Sequence, residues 1–324
     1  MARRYPKIHI QSKNELAKHI SDEKFSVREA LNLINDVLAN YDRYWKDSRR
    51  SEPLKGKYVR SAFGTPLGQL LERINRKVLA PHDALLPPYI FGGVQGLNHI
   101  KAARHLLGRQ RKRTLLALDI ATFFEQIKQE RVEHFLVAKC RCSKRAARLI
   151  SNLCCVPQGA KGSTSTTKSI GRGFATSSRL AMWCNLDTFI GLDRLIKKRL
   201  KKYDPRLAIY VDDIGITASR VPYAMMEAVA DETDEFLKGY DKHQPLPSKR
   251  EKRKILSHAD NMQHLGLGLK RGSLMLGIKT RKKLDNARMR MKNPLLSRDE
   301  RVAARRTYRS LMRYRSKVMT LKKP

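Results

Sequence analysis

Apolar and polar positions along the chain change period several times, and each change marks an element. Ala30, Leu31, Leu33, Ile34, Val37 and Leu38 recur at helical spacing, which predicts an N-terminal helix within residues 27–45. Lys55-Gly56-Lys57-Tyr58-Val59-Arg60 reads as a basic, partly extended segment. Pro66 then opens a helix that carries Leu70, Leu71, Ile74, Val78 and Leu79 on one face. A loop rich in proline and glycine leads to a basic helix near 97–110. The apolar run before Asp119 predicts a strand over 114–120, followed by helical segments near 129–139 and 143–154. Val156-Pro157-Gln158-Gly159 interrupts the pattern, and residues 160–174, rich in Gly, Ser, Thr and Lys, read as a flexible loop. One long helix is expected over 178–202, its basic end suited to the helix dipole. A hairpin over 207–219, a helix near 222–239 and short strands at Lys254–Leu256 and Leu274–Ile278 come next. Ser297-Arg298-Asp299-Glu300 is a capping box that opens a final helix through about Val318.

Strand, helices, hairpin, helix, strand is the order of a split βαβ sheet, α+β in class, with helices on one face. The other face is then expected to stand free for a polyanion. Composition gives that expectation a partner. The chain holds 68 Lys and Arg against 30 Asp and Glu, a net charge of +38 over 324 residues. Such a charge repels itself in a compact state unless a polyanion neutralises it, and nucleic acid is the natural one. Residues 241–324 alone hold 25 Lys and Arg against 6 Asp and Glu. No apolar run reaches a bilayer-spanning length, no signal peptide opens the chain, and no amphipathic apolar helix accompanies the basic clusters. A cytoplasmic protein without a membrane partner is expected. The cysteines (Cys140, Cys142, Cys154, Cys155, Cys184) lack paired zinc spacing and read as reduced core thiols.

The candidate chemistry lies at two strand ends. In Ala208-Ile209-Tyr210-Val211-Asp212-Asp213-Ile214 two adjacent carboxylates sit at a hairpin bend between β-branched runs. Neighbouring like charges gain nothing for a fold, so the pair calls for a cation. Leu115–Ile120 is a second apolar strand that ends in one carboxylate, Asp119. One aspartate on one strand and two on a bend could together hold two Mg²⁺ ions for phosphoryl or nucleotidyl transfer.

Asp119-Ile120-Ala121-Thr122-Phe123-Phe124, Pro157-Gln158-Gly159, Tyr210-Val211-Asp212-Asp213 and Leu265-Gly266-Leu267-Gly268 occur in that order. Together they resemble the palm of a reverse transcriptase, nearest to the bacterial group of retron, group II intron and phage-defence enzymes, over residues 50–280. The resemblance implies a right-hand polymerase: an N-terminal helical segment (1–50), fingers (51–110), an RRM-like palm sheet with the 160–174 insert (111–270) and a small basic helical thumb (271–324). It implies metal ligation by Asp119, Asp212, Asp213 and the backbone at Ile120, with two Mg²⁺ ions or Mn²⁺ in their place. Phe124 matches the family's steric gate, and Gln158 and Gly159 match the segment against the incoming nucleotide. Lys57 and Arg60 stand where fingers cations meet the triphosphate, and Lys252, in competition with Lys249 and Lys254, matches a lysine near the pyrophosphate. Leu265 and Gly266 resemble a primer-grip turn, while Arg305, Arg306 and Arg309 take the thumb's place on the nucleic-acid backbone. The family's Thr-Pro-Thr-Ser-Pro-type residues normally follow Gln-Gly at once, whereas here Ala175-Thr176-Ser177-Ser178 arrives about fifteen residues later.

The implied activity is RNA-directed DNA polymerisation on a cognate noncoding RNA, in a retron-like or phage-defence system of a bacterium. The implied partners are an RNA template, its RNA–DNA hybrid, dNTPs, and a protein effector or a second copy. An untemplated or protein-primed DNA polymerase on the same fold is a second reading, and a non-catalytic RNA-binding scaffold a third.

Overall fold

The computed structural model describes residues 5–108, 112–270 and 272–320. It is a mixed helix-and-sheet protein that falls into two compact units. The first unit comprises the described residues of 1–96, 121–191 and 237–247, and the second those of 97–120, 192–236 and 248–324. These units interleave along the chain and cut across the four segments expected from the sequence. Among the described residues no helix is long and apolar enough to cross a membrane.

The second unit is built on a four-stranded antiparallel sheet. Its spatial order is Arg206–Tyr210, Asp213–Ser219, Arg113–Asp119, Lys254–Leu256. The central pair is in register from Arg113↔Ser219 to Asp119↔Asp213. Residues directly opposite share a face. Leu116, Leu118, Ile214 and Ile216 therefore fill one side, and all four are buried. The opposite side carries Asp119, Asp213, Ala117, Gly215 and Thr217. Contrary to the expectation of a free face, this side is open only at its acidic end. Helix His99–Leu107 lies along the rest, with the Thr217 hydroxyl donating to the Leu106 carbonyl at 2.7 Å. Gly215 makes the approach feasible, because a Cβ there would stand 2.6 Å from Leu106 Cδ1. A second sheet of Gln263–His264, Leu267–Lys270 and Ser273–Leu276 follows, then helices Ile278–Lys292 and Arg298–Thr320, which pack on each other.

The first unit is mostly helical around Leu16, Ile34, Leu70, Phe123, Trp183 and Phe189. Two expectations change here. The loop expected over 160–174 is narrower, because Lys168–Ile170 pairs with Cys155–Pro157 and the Gln158 N–H extends that ladder to Thr167. Threonine and isoleucine tolerate an extended backbone, and a three-residue pairing leaves little periodicity to read. The single helix expected over 178–202 is two, Ser177–Cys184 and Leu186–Leu200. They break where Arg131 Nε captures the Cys184 carbonyl at 2.9 Å and Asn185 bonds back to Ala181. The basic helix expected near 97–110 spans His99–Leu107; residues 109 and 110 lie outside the described residues. All five cysteines are free thiols, and burial pushes Cys154 up to about 12.

Candidate active site

Val211 and Asp212 form the two-residue turn between Tyr210 and Asp213, which pair across the hairpin. Val211 has φ +60°, a left-handed backbone that a β-branched residue adopts only under strain. The Asp212 carbonyl accepts the Ile120 N–H at 2.9 Å, and the Lys249 N–H reaches the Asp119 carbonyl at 2.8 Å. These bonds tie the end of one strand, the hairpin turn and the segment before Lys254 into a single backbone cluster. Asp119 and Asp213 stand opposite each other at this point with Asp212 in the adjoining turn, and the backbone at Ile120 joins them while its side chain is buried.

Two lysines balance the acids. Lys249 Nζ stands 2.7 Å from one Asp119 carboxylate oxygen and Lys252 Nζ 3.0 Å from the other. The Lys252 ammonium is held above its usual range chiefly by that hydrogen bond. For Asp213 the same two lysines offset only part of the opposing influences. Its carboxyl is pushed up to about 7, first by burial and then by the charges of Asp212 and Asp119. Among the described residues no three acidic, histidine or cysteine groups stand close enough to hold a metal as the side chains lie. The donor chemistry nevertheless suits a hard divalent cation: Asp119 and Asp213 are directly opposite across the sheet, and Asp212 adjoins Asp213 in the turn, so all the side-chain donors offered are carboxylate oxygens. An ion on Asp119 would compete with Lys249 and Lys252 for its carboxylate oxygens.

Beside the acids runs a groove of about 450 Å³, bounded by Asp119, Asp213, Lys252, Gly266, Lys279 and Thr280. Leu265 and Gly266 form its far lip. Their φ values of +54° and +73° are those of a tight two-residue hairpin turn between His264 and Leu267. His264, buried behind this turn, makes no hydrogen bond through Nε2, and burial lowers it to about 4, so the ring is neutral above that pH. Lys254, on the sheet's edge strand opposite Ala117, also borders the groove.

Of the residues expected to contact a nucleotide, Lys57, Arg60, Phe124, Gln158 and Gly159 lie in the first unit and Lys252 in the second. Phe123 is fully buried and Phe124 is 8% exposed, their rings edge to face at 5.7 Å. Gln158 Nε2 donates to the Glu125 carbonyl at 2.8 Å, which fixes the side chain beside the Phe124 segment. Gly159 has φ +91°, where a Cβ would crowd Ser163. Lys57 is half exposed and 3.4 Å from Glu52. Arg60 departs from the free cation that the sequence suggests. It is buried, paired with Asp47, bonded to the Pro157 and Gly159 carbonyls, and packed between the Trp45 and Tyr58 rings. Its observed work is to hold the Gln158–Gly159 turn.

Arg172 was not singled out from the sequence. It lies over the Phe124 ring and pairs with Glu125 at 2.9 Å. The signal was available: Arg172-Gly173 stands just ahead of Ala175-Thr176-Ser177-Ser178, the stretch that resembles the family's usual sequel to Gln-Gly. In the terminal helices Arg305, Arg306 and Arg309 are all exposed, and Arg305 and Arg309 share a groove with Arg298, Arg301 and Tyr308.

No protein-family model matches the chain, and no curated protein matches it. Among solved structures the chain is similar to telomerase from Candida albicans in complex with a TWJ fragment of telomeric RNA, at 11% sequence identity and a TM-score of 0.43. That match covers 90% of this chain and 50% of the other, so the chain spans half the length of the telomerase chain.

Proposed function

We propose that the chain is an RNA-directed DNA polymerase, with the four-stranded sheet as palm and the two C-terminal helices as thumb. The observation that carries this reading is the pairing in register of Asp119 and Asp213 at one end of a sheet, with Asp212 in the adjoining turn, beside a groove bordered by cations. A carboxyl pushed up by burial and by neighbouring carboxylates, as Asp213 is, costs stability, and nucleotidyl transfer gives it a use. Divalent ions bound there would lower the pKa of a primer 3′-hydroxyl and neutralise charge developing on the phosphates. Asp119, Asp212 and Asp213 supply the ligands, from two strand ends and the tight turn between paired strands, which fix them better than a long loop would. Lys252, more exposed than Lys249, is the ammonium best able to leave Asp119 for a phosphate. In the first unit, Phe124 is the residue assigned to selection against a 2′-hydroxyl, and Gln158 and Gly159 are those assigned to the incoming nucleotide. Leu265-Gly266 steadies the primer end, and the arginines of the last helix hold the backbone of the hybrid. The motif order also favours a retron-like or defence role on a cognate noncoding RNA in the bacterial cytoplasm, which sequencing the co-purifying nucleic acid would test.

Primer extension on an RNA template with dNTPs and Mg²⁺ is the direct test. The wild-type chain is expected to extend the primer. Asp212→Asn with Asp213→Asn is expected to abolish extension while RNA binding stays near the wild-type level, because the basic surface is untouched. Extension by the double variant would overturn the assignment of the carboxylates. RNA binding by a wild-type chain that extends no primer under any of these conditions would favour the scaffold reading.

A further inference from the structure

The guanidinium of Arg172 has an unusual set of neighbours for so basic a chain. Its carbon lies 5.2 Å from the centroid of the Phe124 ring, within range for a cation–π contact. One terminal nitrogen donates to Glu125 at 2.9 Å. Nε is buried and makes no hydrogen bond, so that atom cannot face a ligand. A buried donor without a partner persists only where other contacts dictate the side chain's position. The backbone supplies them. The Arg172 carbonyl accepts the Arg60 N–H at 2.6 Å, and Ile170 N–H bonds to the Ile127 carbonyl at 3.1 Å. Gly173 follows with φ +100°, and a Cβ there would stand 2.5 Å from the Arg60 carbonyl oxygen. The chain is pinned on both sides of Arg172, and its side chain is laid across Phe124.

We propose that Arg172 is a specificity-determining positioning residue: anchored on Glu125, it clamps the Phe124 ring against Phe123 in the orientation that excludes a ribonucleotide sugar. The inference rests on the reading of Phe124 as the sugar gate. A phenylalanine ring turns about its side-chain bonds unless both its faces and edges are packed. Phe123 packs an edge of the pair, and Arg172 covers a face. Arginine suits the task because its planar group can stack on a ring and fork to a carboxylate together, whereas a lysine ammonium does one or the other. Arg172 itself touches no substrate in this role. It acts through the ring.

Single-nucleotide primer extension by the full chain, with a dNTP and the matching rNTP, reads the effect as a selectivity ratio. Phe124→Val is expected to admit the rNTP. Arg172→Met is expected to shift the ratio the same way, by about tenfold, with dNTP addition much less affected. Arg172→Lys should fall between, and Arg172→Met should add little on top of Phe124→Val, since both act through one ring. A ratio unchanged in both Arg172 variants, while Phe124→Val admits the rNTP, overturns the clamp and leaves the gate standing. A ratio unchanged in Phe124→Val overturns the gate itself and the clamp with it. Should Arg172→Met fail to fold, Glu125→Gln decides: releasing the anchor must loosen selectivity, and wild-type selectivity there rejects the proposal.

Discussion

Asp213 is held in a position that costs the fold something at neutral pH. Its folded carboxyl titrates at about 7 against an ordinary 3.8, because it is buried among like charges. A carboxyl raised in this way binds its proton more tightly when folded than when unfolded. The group's contribution to stability therefore falls as pH climbs from about 4 to about 7, and the loss is complete above that window. Asp213→Asn is expected to raise the melting temperature at pH 8.5, by about 2–4 °C for each kcal/mol of repulsion removed, and to change it little at pH 4. Melting curves at the two pH values check this. A divalent cation competes with the proton for the same oxygens, so Mg²⁺ should stabilise the wild type more at pH 8.5 than at pH 6, and Asp213→Asn should lose most of that difference.

At the scale of elements, the Leu265–Gly266 turn is positioned by a close backbone contact that leaves no room for a side chain. The Gly277 N–H donates to the Gly266 carbonyl at 3.1 Å, and a Cβ on Gly277 would stand 2.4 Å from that oxygen. Gly277→Ala must push the turn away from helix Ile278–Lys292. A loss of about 1–3 kcal/mol is expected in urea unfolding. Primer extension should fall further than the lost stability explains, because the displaced turn borders the groove. The helices were legible in the chain where a face repeats or a cap is spelled out: Ser297 and Glu300 bond reciprocally, with the Glu300 N–H 3.2 Å from the serine hydroxyl. The pairing of 155–157 with 168–170 was not legible, because three residues carry no period and a serine- and threonine-rich connection resembles any polar loop.

For the molecule as a whole, the net charge of +38 dominates association with a polyanion. Neutralising a phosphate-contacting cation lowers the dependence of log affinity on log salt by about 0.7–0.9. Arg305 and Arg309 line one groove with Arg298 and Arg301, and Arg306 does not. Replacing Arg305 and Arg309 by glutamine should make the salt slope for RNA shallower by roughly two contacts' worth, and Arg306→Gln should leave it near the wild-type value. Titrations at several salt concentrations separate these outcomes. Equal slopes in all variants would assign this helix to a solvated surface.

The order of the acids, their place at strand ends, the basic C-terminal quarter and most helices are properties of local pattern, and the sequence by itself determined them. An apolar run that ends in Asp119 and a bend that carries Asp212 and Asp213 announce their positions through period and charge. What those side chains touch was decided only by the tertiary structure, since partners 130 and 133 residues away meet through sheet register that no local window contains. Lys249 and Lys252 thus fall on Asp119, and Arg60 is drawn into Asp47 and two carbonyls. Helix His99–Leu107 closes most of a sheet face that alternation left open, because Gly215 lets it approach. Arg172, one arginine among many in the sequence, is singled out because the tertiary structure lays its guanidinium over Phe124 and pairs it with Glu125.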